Sequence, residues 1–259
     1  MLNLTEDNYF SRDADSEYCS VSQWKAFKKC PACAMAILRG EWQKEETPAL
    51  LVGSYVDSWF DGTLNKFREE HPAIFTKSGE LKADYKKAEE VIARVQRDPL
   101  FMEYMSGDKQ VIMTGVINGV KCKIKVDSLD IEHGRFTDLK VMKDFQPIYD
   151  EDEMGRVPFW TAWKYDVQLG VYAEIIRQCT GKKLQAYIAA ATKEKTVDYA
   201  VFHMSEAELE NGLKQFADSI VAFDAIKKGI ADADFCGECA YCRETKVLHE
   251  VIETDSILL

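Results

Sequence analysis

The spacing of apolar residues along the chain predicts five helical segments. In each segment apolar side chains return every three to four residues, so they line one face of a helix. The predicted helices cover residues 22–39, 49–60, 82–105, 160–178 and 206–228. Pro31 bends or divides the first helix, and Asp98-Pro99 breaks the third. Residues 61–81 show no such period and are predicted to be an irregular connection.

Five further segments have the pattern of β-strands, with alternating polarity or short apolar runs between turn residues. The predicted strands cover residues 110–117, 120–129, 135–141, 184–192 and 197–203. The first two flank Asn118-Gly119, a pair that is typical of a tight hairpin. The order of elements predicts an α/β (α+β) fold, with a central mixed sheet flanked by helices. We expect residues 1–259 to form a single domain.

Composition limits the class of protein. The 259 residues are 46% hydrophobic, as in an ordinary globular core. No apolar run approaches the roughly 20 residues of a membrane helix, and the N-terminus lacks a basic region. We therefore expect a cytoplasmic protein without a membrane partner. The net charge of −11 argues against a surface that is basic throughout. An enzyme that releases its polymer needs only a local positive groove.

The strand at residues 120–129 separates an apolar face from a charged one, because side chains alternate along an extended chain. The apolar face carries Val120, Cys122, Ile124 and Val126. The charged face carries Lys121, Lys123, Lys125 and Asp127. The three lysines are candidate DNA-binding residues. A solvated face of an ordinary hairpin is the alternative, and Asp127 at the end of the same stripe argues against it.

The next strand places Asp138 and Lys140 two residues apart on one face. If the strands pair through the turn near residues 132–134, Asp127 meets both side chains. Two carboxylates beside an ammonium group form a divalent-metal site next to a cation, which is the chemistry that phosphodiester hydrolysis requires. Lys140 would contact the attacking water or the phosphate. The alternative is a structural ion pair on the sheet surface.

The helix at residues 160–178 carries a third polar group. Gln168 and Tyr172 are four residues apart and share one helix face, and Tyr165 lies on the same side. These residues are candidates for positioning Lys140, the carboxylates or a DNA phosphate. An ordinary core face with a buried Tyr172 is the alternative.

Three closely spaced cysteines form a second candidate site. Cys236, Cys239 and Cys242 are separated by two-residue gaps, a spacing that is typical of metal ligands. The fourth ligand would be Cys30 or, as the second choice, Cys33. A [4Fe–4S] cluster, structural Zn²⁺ and unligated thiols all remain open. A cluster or a zinc ion would be structural and would join the N-terminal and C-terminal parts of the domain.

The motifs, taken in order, resemble the PD-(D/E)xK nuclease superfamily in its RecB-like branch, and within it the RecE-type exonuclease domain of phages and prophages. The resemblance covers roughly residues 18–245. It rests on these stretches: Ser20-Val-Ser-Gln-Trp, Cys30-Pro31, Leu51-Val-Gly-Ser-Tyr-Val-Asp57, Lys125-Val-Asp127, Asp138-Leu-Lys140 and Gln168-Leu-Gly-Val-Tyr172. The cysteines resemble those of AddB-type and CRISPR-adaptation nucleases, which hold a [4Fe–4S] cluster, although the last gap is shorter here.

The resemblance implies a restriction-endonuclease-like core and a Mg²⁺- or Mn²⁺-dependent exodeoxyribonuclease that digests linear duplex DNA. It further implies phage-type recombination, a single-strand-annealing recombinase as partner, and a possible homo-oligomer. Asp57 replaces the metal-binding histidine of many relatives, and an aspartate is a good ligand for these ions. If Asp57 is merely polar, the ion would rest on Asp127, Asp138 and the Leu139 carbonyl. A non-catalytic DNA-end or protein-binding module is the alternative from another class.

Overall fold

The computed structural model describes residues 2–43, 47–150, 154–248 and 251. Within these residues the helices are α1 (Arg12–Glu17), α2 (Val21–Lys29), α3 (Pro31–Arg39), α4 (Pro48–Phe60), α5 (Leu64–Glu70), α6 (Ala83–Val95), α7 (Pro99–Tyr104), α8 (Phe159–Ala162), α9 (Tyr165–Thr180), α10 (Glu206–Lys227) and α11 (Ala240–Glu244). The strands are β1 (Asp108–Ile117), β2 (Val120–Asp130), β3 (Arg135–Met142), β4 (Ile148–Asp150), β5 (Gly155–Val157), β6 (Gln185–Thr192) and β7 (Tyr199–Met204).

A mixed sheet in the order β1-β2-β3-β6-β7 forms the centre of the fold. β1, β2 and β3 form an antiparallel meander, β6 lies parallel to β3, and β7 is antiparallel to β6. A parallel pair needs a crossover, and α9 lies in the connection between β3 and β6. β4 and β5 form a separate small hairpin. The predicted fold class, a central mixed sheet flanked by helices, is confirmed.

Two apolar cores lie against this sheet. One joins α2, α9 and α10 to side chains such as Ile124, Phe136 and Ile188. The other joins α4, α6 and α7 to Leu139 and Ala189. Leu139 and Ala189 belong to strands that also face the first core, which is the alternation expected of strands buried on both sides. No helix of the described residues is long and apolar enough to cross a membrane.

The helices differ from the prediction where polar residues obscure the helical spacing of the apolar residues. The first predicted helix is divided at Cys30, before Pro31, as expected. The region 61–81 is not wholly irregular, because it contains α5, and Phe67 is its buried anchor. The predicted helix 160–178 is two helices. The break falls at Lys164, which has a left-handed backbone with φ of 55°.

Two glycines allow α9 and α10 to pack closely. A Cβ atom built on Gly170 would lie 2.3 Å from the Leu209 carbonyl oxygen, and one built on Gly212 would lie 2.3 Å from the Asp166 carbonyl oxygen. Real side chains do not tolerate such distances, so each glycine is required by the close approach of the other helix. This contact fixes α9, the helix that carries Gln168.

Candidate active site

Strands β2 and β3 separate near the centre of the sheet. Their ladder runs from Asp130↔Arg135 through Leu129↔Phe136 to Ser128↔Thr137. Asp127 and Asp138 are the next residues along each strand, at the point where the strands diverge. The Leu139 N–H donates to Asp127 Oδ2 at 2.9 Å. The fork therefore places the two predicted carboxylates beside each other.

A cavity of about 570 Å³ opens over this fork. Its walls come from the segment of residues 2–18, called here the N-terminal segment, and from α2, α3, α4, α9 and the first three strands. The cavity brings together these residues predicted from the sequence: Asp57, Lys123, Lys125, Asp127, Asp138, Leu139, Lys140, Gln168 and Tyr172. They come from four elements, α4, β2, β3 and α9, which the fold brings together.

Asp138 is held from two sides. The Lys140 ammonium lies 2.5 Å from Asp138 Oδ2, and the Gln168 amide donates to Asp138 Oδ1 at 2.7 Å. Burial opposes the charge on Lys140, but the carboxylates of Asp138 and Asp127 outweigh it and raise the pKa of Lys140 above its usual value. Lys140 thus remains an ammonium group. Burial also raises the pKa of Tyr172 well above its usual value, so Tyr172 is a neutral phenol.

Burial disfavours the charged form of the other two carboxyl groups. Burial raises the pKa of Asp57 to about 6, with Asp61 and Asp138 contributing and Lys140 opposing. Burial and the carboxylates of Asp138 and Asp57 raise the pKa of Asp127 well above its usual range. Asp57 Oδ1 is buried and has no hydrogen-bond partner among the described residues. A cation would stabilise the charged form of such groups, and hard oxygen donors are the ligands that Mg²⁺ and Mn²⁺ prefer. The residues present therefore fit a divalent ion.

The predicted lysine stripe on β2 is partly covered, and the prediction needs correction at Lys123. The N-terminal segment lies across it: the Lys123 ammonium is buried, with 1% of its side chain exposed, and lies 2.7 Å from Asp15 Oδ1. Lys121 pairs with Glu17 at 2.8 Å and stays partly exposed. Lys125 alone of the three has no ion pair among the described residues, and its ammonium lies 5.0 Å from the centre of the Phe10 ring. The acidic residues of α1 gave no sequence signal for this pairing.

Lys25 on α2 is a cavity residue that the sequence analysis missed. Its ammonium donates to the Trp163 carbonyl oxygen at 2.7 Å and lies 5.2 Å from the centre of the Tyr165 ring. Lys140 lies 4.9 Å from the same ring. No carboxylate of the described residues lies within 4.0 Å of the Lys25 ammonium. Burial and the charge of Lys140 lower the pKa of Lys25 to about 8. The Ser20-Val-Ser-Gln-Trp motif directly precedes Lys25 and was the available signal.

The cysteine site joins two distant parts of the chain. Cys30 lies between α2 and α3, and its sulfur is 3.5 Å from that of Cys242 in α11. The Cys236 sulfur lies 3.8 Å from that of Cys242. The sulfur atoms of Cys30, Cys236, Cys239 and Cys242 all lie within 4.8 Å of one another, so this group can hold a metal ion. Cys33 is outside the group, and burial raises the pKa of its thiol to about 11.

The turn at residues 236–239 stabilises the thiolate form of Cys236. Hydrogen bonds from the backbone N–H groups of Cys239 and Glu238 lower the pKa of Cys236 to about 6. Gly237 has a left-handed φ of 78°, which allows these N–H groups to converge on the sulfur. The thiolate is the form that binds metals, so the lowered pKa of Cys236 favours metal binding at neutral pH.

The mixed sheet, the acid on β2, the Asp-x-Lys on β3 and the glutamine on the following helix together define a PD-(D/E)xK-like fold and site. The chain belongs to the family described as PDDEXK-like domain of unknown function (DUF3799), which matches residues 20–245.

A solved structure is similar over the whole chain. It is the crystal structure of a protein from Eubacterium rectale that is named "putative exonuclease", with 43% sequence identity and a TM-score of 0.94. The match covers 99% of this chain and 100% of that chain. No protein of curated function matches. The family and this neighbour together support a nuclease.

Proposed function

We propose that the protein is a metal-dependent DNA exonuclease that hydrolyses phosphodiester bonds at the ends of linear DNA. The convergence of Asp57, Asp127, Asp138 and Lys140 on one cavity carries this proposal. The three carboxylates and the Leu139 carbonyl would hold Mg²⁺ or Mn²⁺. A bound ion would supply activation of water and neutralisation of the charge that develops on the phosphate.

The side chains of the cavity have separate roles in this reaction. Lys140 remains protonated beside Asp138 and places positive charge next to the scissile phosphate, where charge grows in the transition state. Gln168 fixes the rotamer of Asp138 through the 2.7 Å hydrogen bond to its Oδ1. Tyr172, one helical turn after Gln168, offers a neutral hydroxyl on the same wall of the cavity.

The DNA backbone is bound by the cations that the N-terminal segment leaves free. These are Lys25 and Lys125, which line the cavity and have no ion pair with a carboxylate among the described residues. A phosphate supplies the missing anion for each of them. Lys121 is a weaker contributor because Glu17 already neutralises it.

The cysteine site binds structural Zn²⁺ in this proposal. Zn–S bonds of 2.3 Å in a tetrahedron place the sulfur atoms about 3.8 Å apart. The separations of 3.5 and 3.8 Å agree with this value. In a [4Fe–4S] cluster each cysteine binds a different iron atom, so the sulfur atoms stand farther apart. The ion would join the start and end of a single domain that spans residues 1–259.

The resemblance to RecE-type enzymes supports a place in phage-type recombination. The product of end resection is a single strand, which a single-strand-annealing recombinase would take over. A ring-forming homo-oligomer is a further expectation from this resemblance, and size-exclusion chromatography with light scattering tests it.

Digestion of end-labelled duplex DNA tests the proposed function. Wild-type protein with Mg²⁺ or Mn²⁺ should degrade a linear duplex and spare a covalently closed circle of the same sequence. Asp138→Ala, Lys140→Ala and a chelator should each abolish degradation. Lys143→Ala is the matched control, because the side chain of Lys143 is 94% exposed. Cleavage by the first two variants at the wild-type rate would contradict the site, and end binding without cleavage by wild type would favour a non-catalytic module.

A further inference from the structure

Gln110 has an unusual backbone for its position. It lies in the interior of β1 with φ of 51°, in the left-handed region that favours glycine. Among the described residues, the other non-glycine residues with positive φ are Asn118, Met154 and Lys164, which lie in turns or at a helix start. A strained backbone inside a strand persists only where the surrounding structure enforces it, and such positions cluster at functional sites.

The strained residue, Gln110, lies opposite Asp127 in the register of β1 and β2. The ladder between β1 and β2 includes Lys109↔Ser128 and Val111↔Val126, and it omits the couple Gln110 and Asp127 between them. On its other side, Asp127 lies at the fork between β2 and β3. The regular backbone pairing is therefore interrupted on both sides of this carboxylate.

The side chain of Gln110 offers an oxygen atom at the point where the pairing is interrupted. Gln110 lines the same cavity as Asp57, Asp127 and Asp138. Its Oε1 atom is buried and has no hydrogen-bond partner among the described residues. A buried amide oxygen without a partner is costly, so a partner outside the chain is required to satisfy it.

We propose that Gln110 supplies a further oxygen ligand to the divalent cation of the cavity. An amide oxygen is a normal ligand for hard cations, which take six or more oxygen atoms. The charge of the residue matters as well: a glutamine adds a ligand without adding a fourth negative charge to carboxyl groups that already repel one another. This inference rests on the proposed function, because that function places the cation.

Titration calorimetry with MnCl₂ and full-length protein, without DNA, tests the inference. Gln110→Gly relieves the strained backbone and removes the amide, so the melting temperature of the Mn²⁺-free protein should rise by about 2 °C while the Kd for Mn²⁺ increases about 10-fold. Gln110→Glu keeps an oxygen and adds charge, so it should bind Mn²⁺ at least as tightly as wild type does.

Met154→Gly is the matched control, because Met154 also has a positive φ of 47° and is exposed. It should leave the Kd unchanged. A Kd for Gln110→Gly within twofold of the wild-type value would overturn the inference, whatever the melting temperature does. If wild type itself binds no Mn²⁺, both the inference and the proposed function fail, and this result is distinct from the previous one.

Discussion

The carboxylate cavity and the cysteine site are both suited to metal ions, yet their ligands are arranged differently. Among the described residues, the four cysteines bring their sulfur atoms within 4.8 Å of one another, and the three carboxylates are not drawn together in this way. The cysteines lie on a turn and on helix ends. The carboxylates lie on a strand fork and on α4, with an unpartnered oxygen on Asp57.

The difference matches two uses of a metal ion. A structural site is closed, with all of its ligands supplied by the protein. A catalytic site keeps room for water and substrate, and the cavity of about 570 Å³ provides that room. The charges differ as well, because the cavity also contains Lys140, Lys125 and Lys25, which would contact the phosphate in the proposed function. The two sites should therefore fail independently when either one is altered.

Asp127→Asn should have the largest effect, on cleavage alone. The amide oxygen can still accept from the Leu139 N–H, while the charge that binds the cation is lost. We expect kcat to fall about 10³-fold, and the Mn²⁺-free protein to be no less stable, because a buried repulsion disappears. Digestion of a linear duplex, thermal melting and elemental analysis of zinc measure these effects. Loss of zinc together with cleavage would contradict the independence of the two sites.

Cys30→Ser should affect stability rather than chemistry. Loss of one ligand should weaken the proposed Zn²⁺ site, which would link the start of α3 to α11. We expect about 3 kcal/mol of stability to be lost, seen as a melting temperature lower by about 10 °C. Cleavage per folded molecule should persist at low temperature. Cys33→Ser is the control and should retain zinc. Equal zinc contents in the two variants would remove Cys30 from the ligand set.

Gly170→Val should disturb the packing of α9 against α10 and thereby the position of Gln168 beside Asp138. The added side chain meets the backbone of α10 and pushes α9, and with it Gln168, away from Asp138. Overpacking of this kind costs about 2 kcal/mol. Gly53→Ala is the control, because a Cβ at Gly53 has no neighbour within 4 Å. Urea denaturation compares the two variants, and equal midpoints would show that α9 and α10 are not closely packed.

Lys25→Gln should have the smallest effect, on DNA binding. Removing one phosphate contact should raise KM about 10-fold and reduce the slope of log Kd against log salt by about 1. Lys29→Gln, an exposed change on the same helix, is the control. Equal KM values for the two variants would exclude the contact.

The pKa of Lys25 gives a second measure of the same contact. Because its pKa is lowered to about 8, Lys25 loses its charge as pH rises through that value, and wild-type DNA affinity should fall there. Lys25→Arg should keep its affinity, since arginine stays charged. The sign for stability is the opposite: a lysine whose pKa is lower in the folded state favours folding increasingly as pH rises above about 8. Anisotropy titrations with a labelled oligonucleotide at pH 7 and pH 9 measure the affinity, and urea denaturation at the same two pH values measures the stability.

The sequence predicted those parts of the molecule that depend on local patterns. Alternation along β2 and the pair Asn118-Gly119 identified the hairpin, and Pro31 marked the end of α2. The candidate acids were found because strand periodicity places Asp138 and Lys140 on one face. The choice of Cys30 over Cys33 agrees with the sulfur distances.

The parts that depend on long-range contacts were not predictable. Lys123 alternates like a surface residue, and its burial follows from Asp15 and the rest of the N-terminal segment, more than a hundred residues away. Lys25 belongs to a helix whose period gives no sign of the cavity. The left-handed backbone of Gln110 has no glycine or turn sequence to mark it, because it depends on the strands around Asp127.

Anomalous diffraction from crystals soaked in MnCl₂, recorded at the manganese, iron and zinc absorption edges, tests the central claim directly. We expect a manganese peak among Asp57, Asp127 and Asp138, and a separate zinc peak at the four cysteines. A cavity without manganese at saturating concentration would contradict the catalytic assignment. Iron at the cysteines would contradict the structural zinc site.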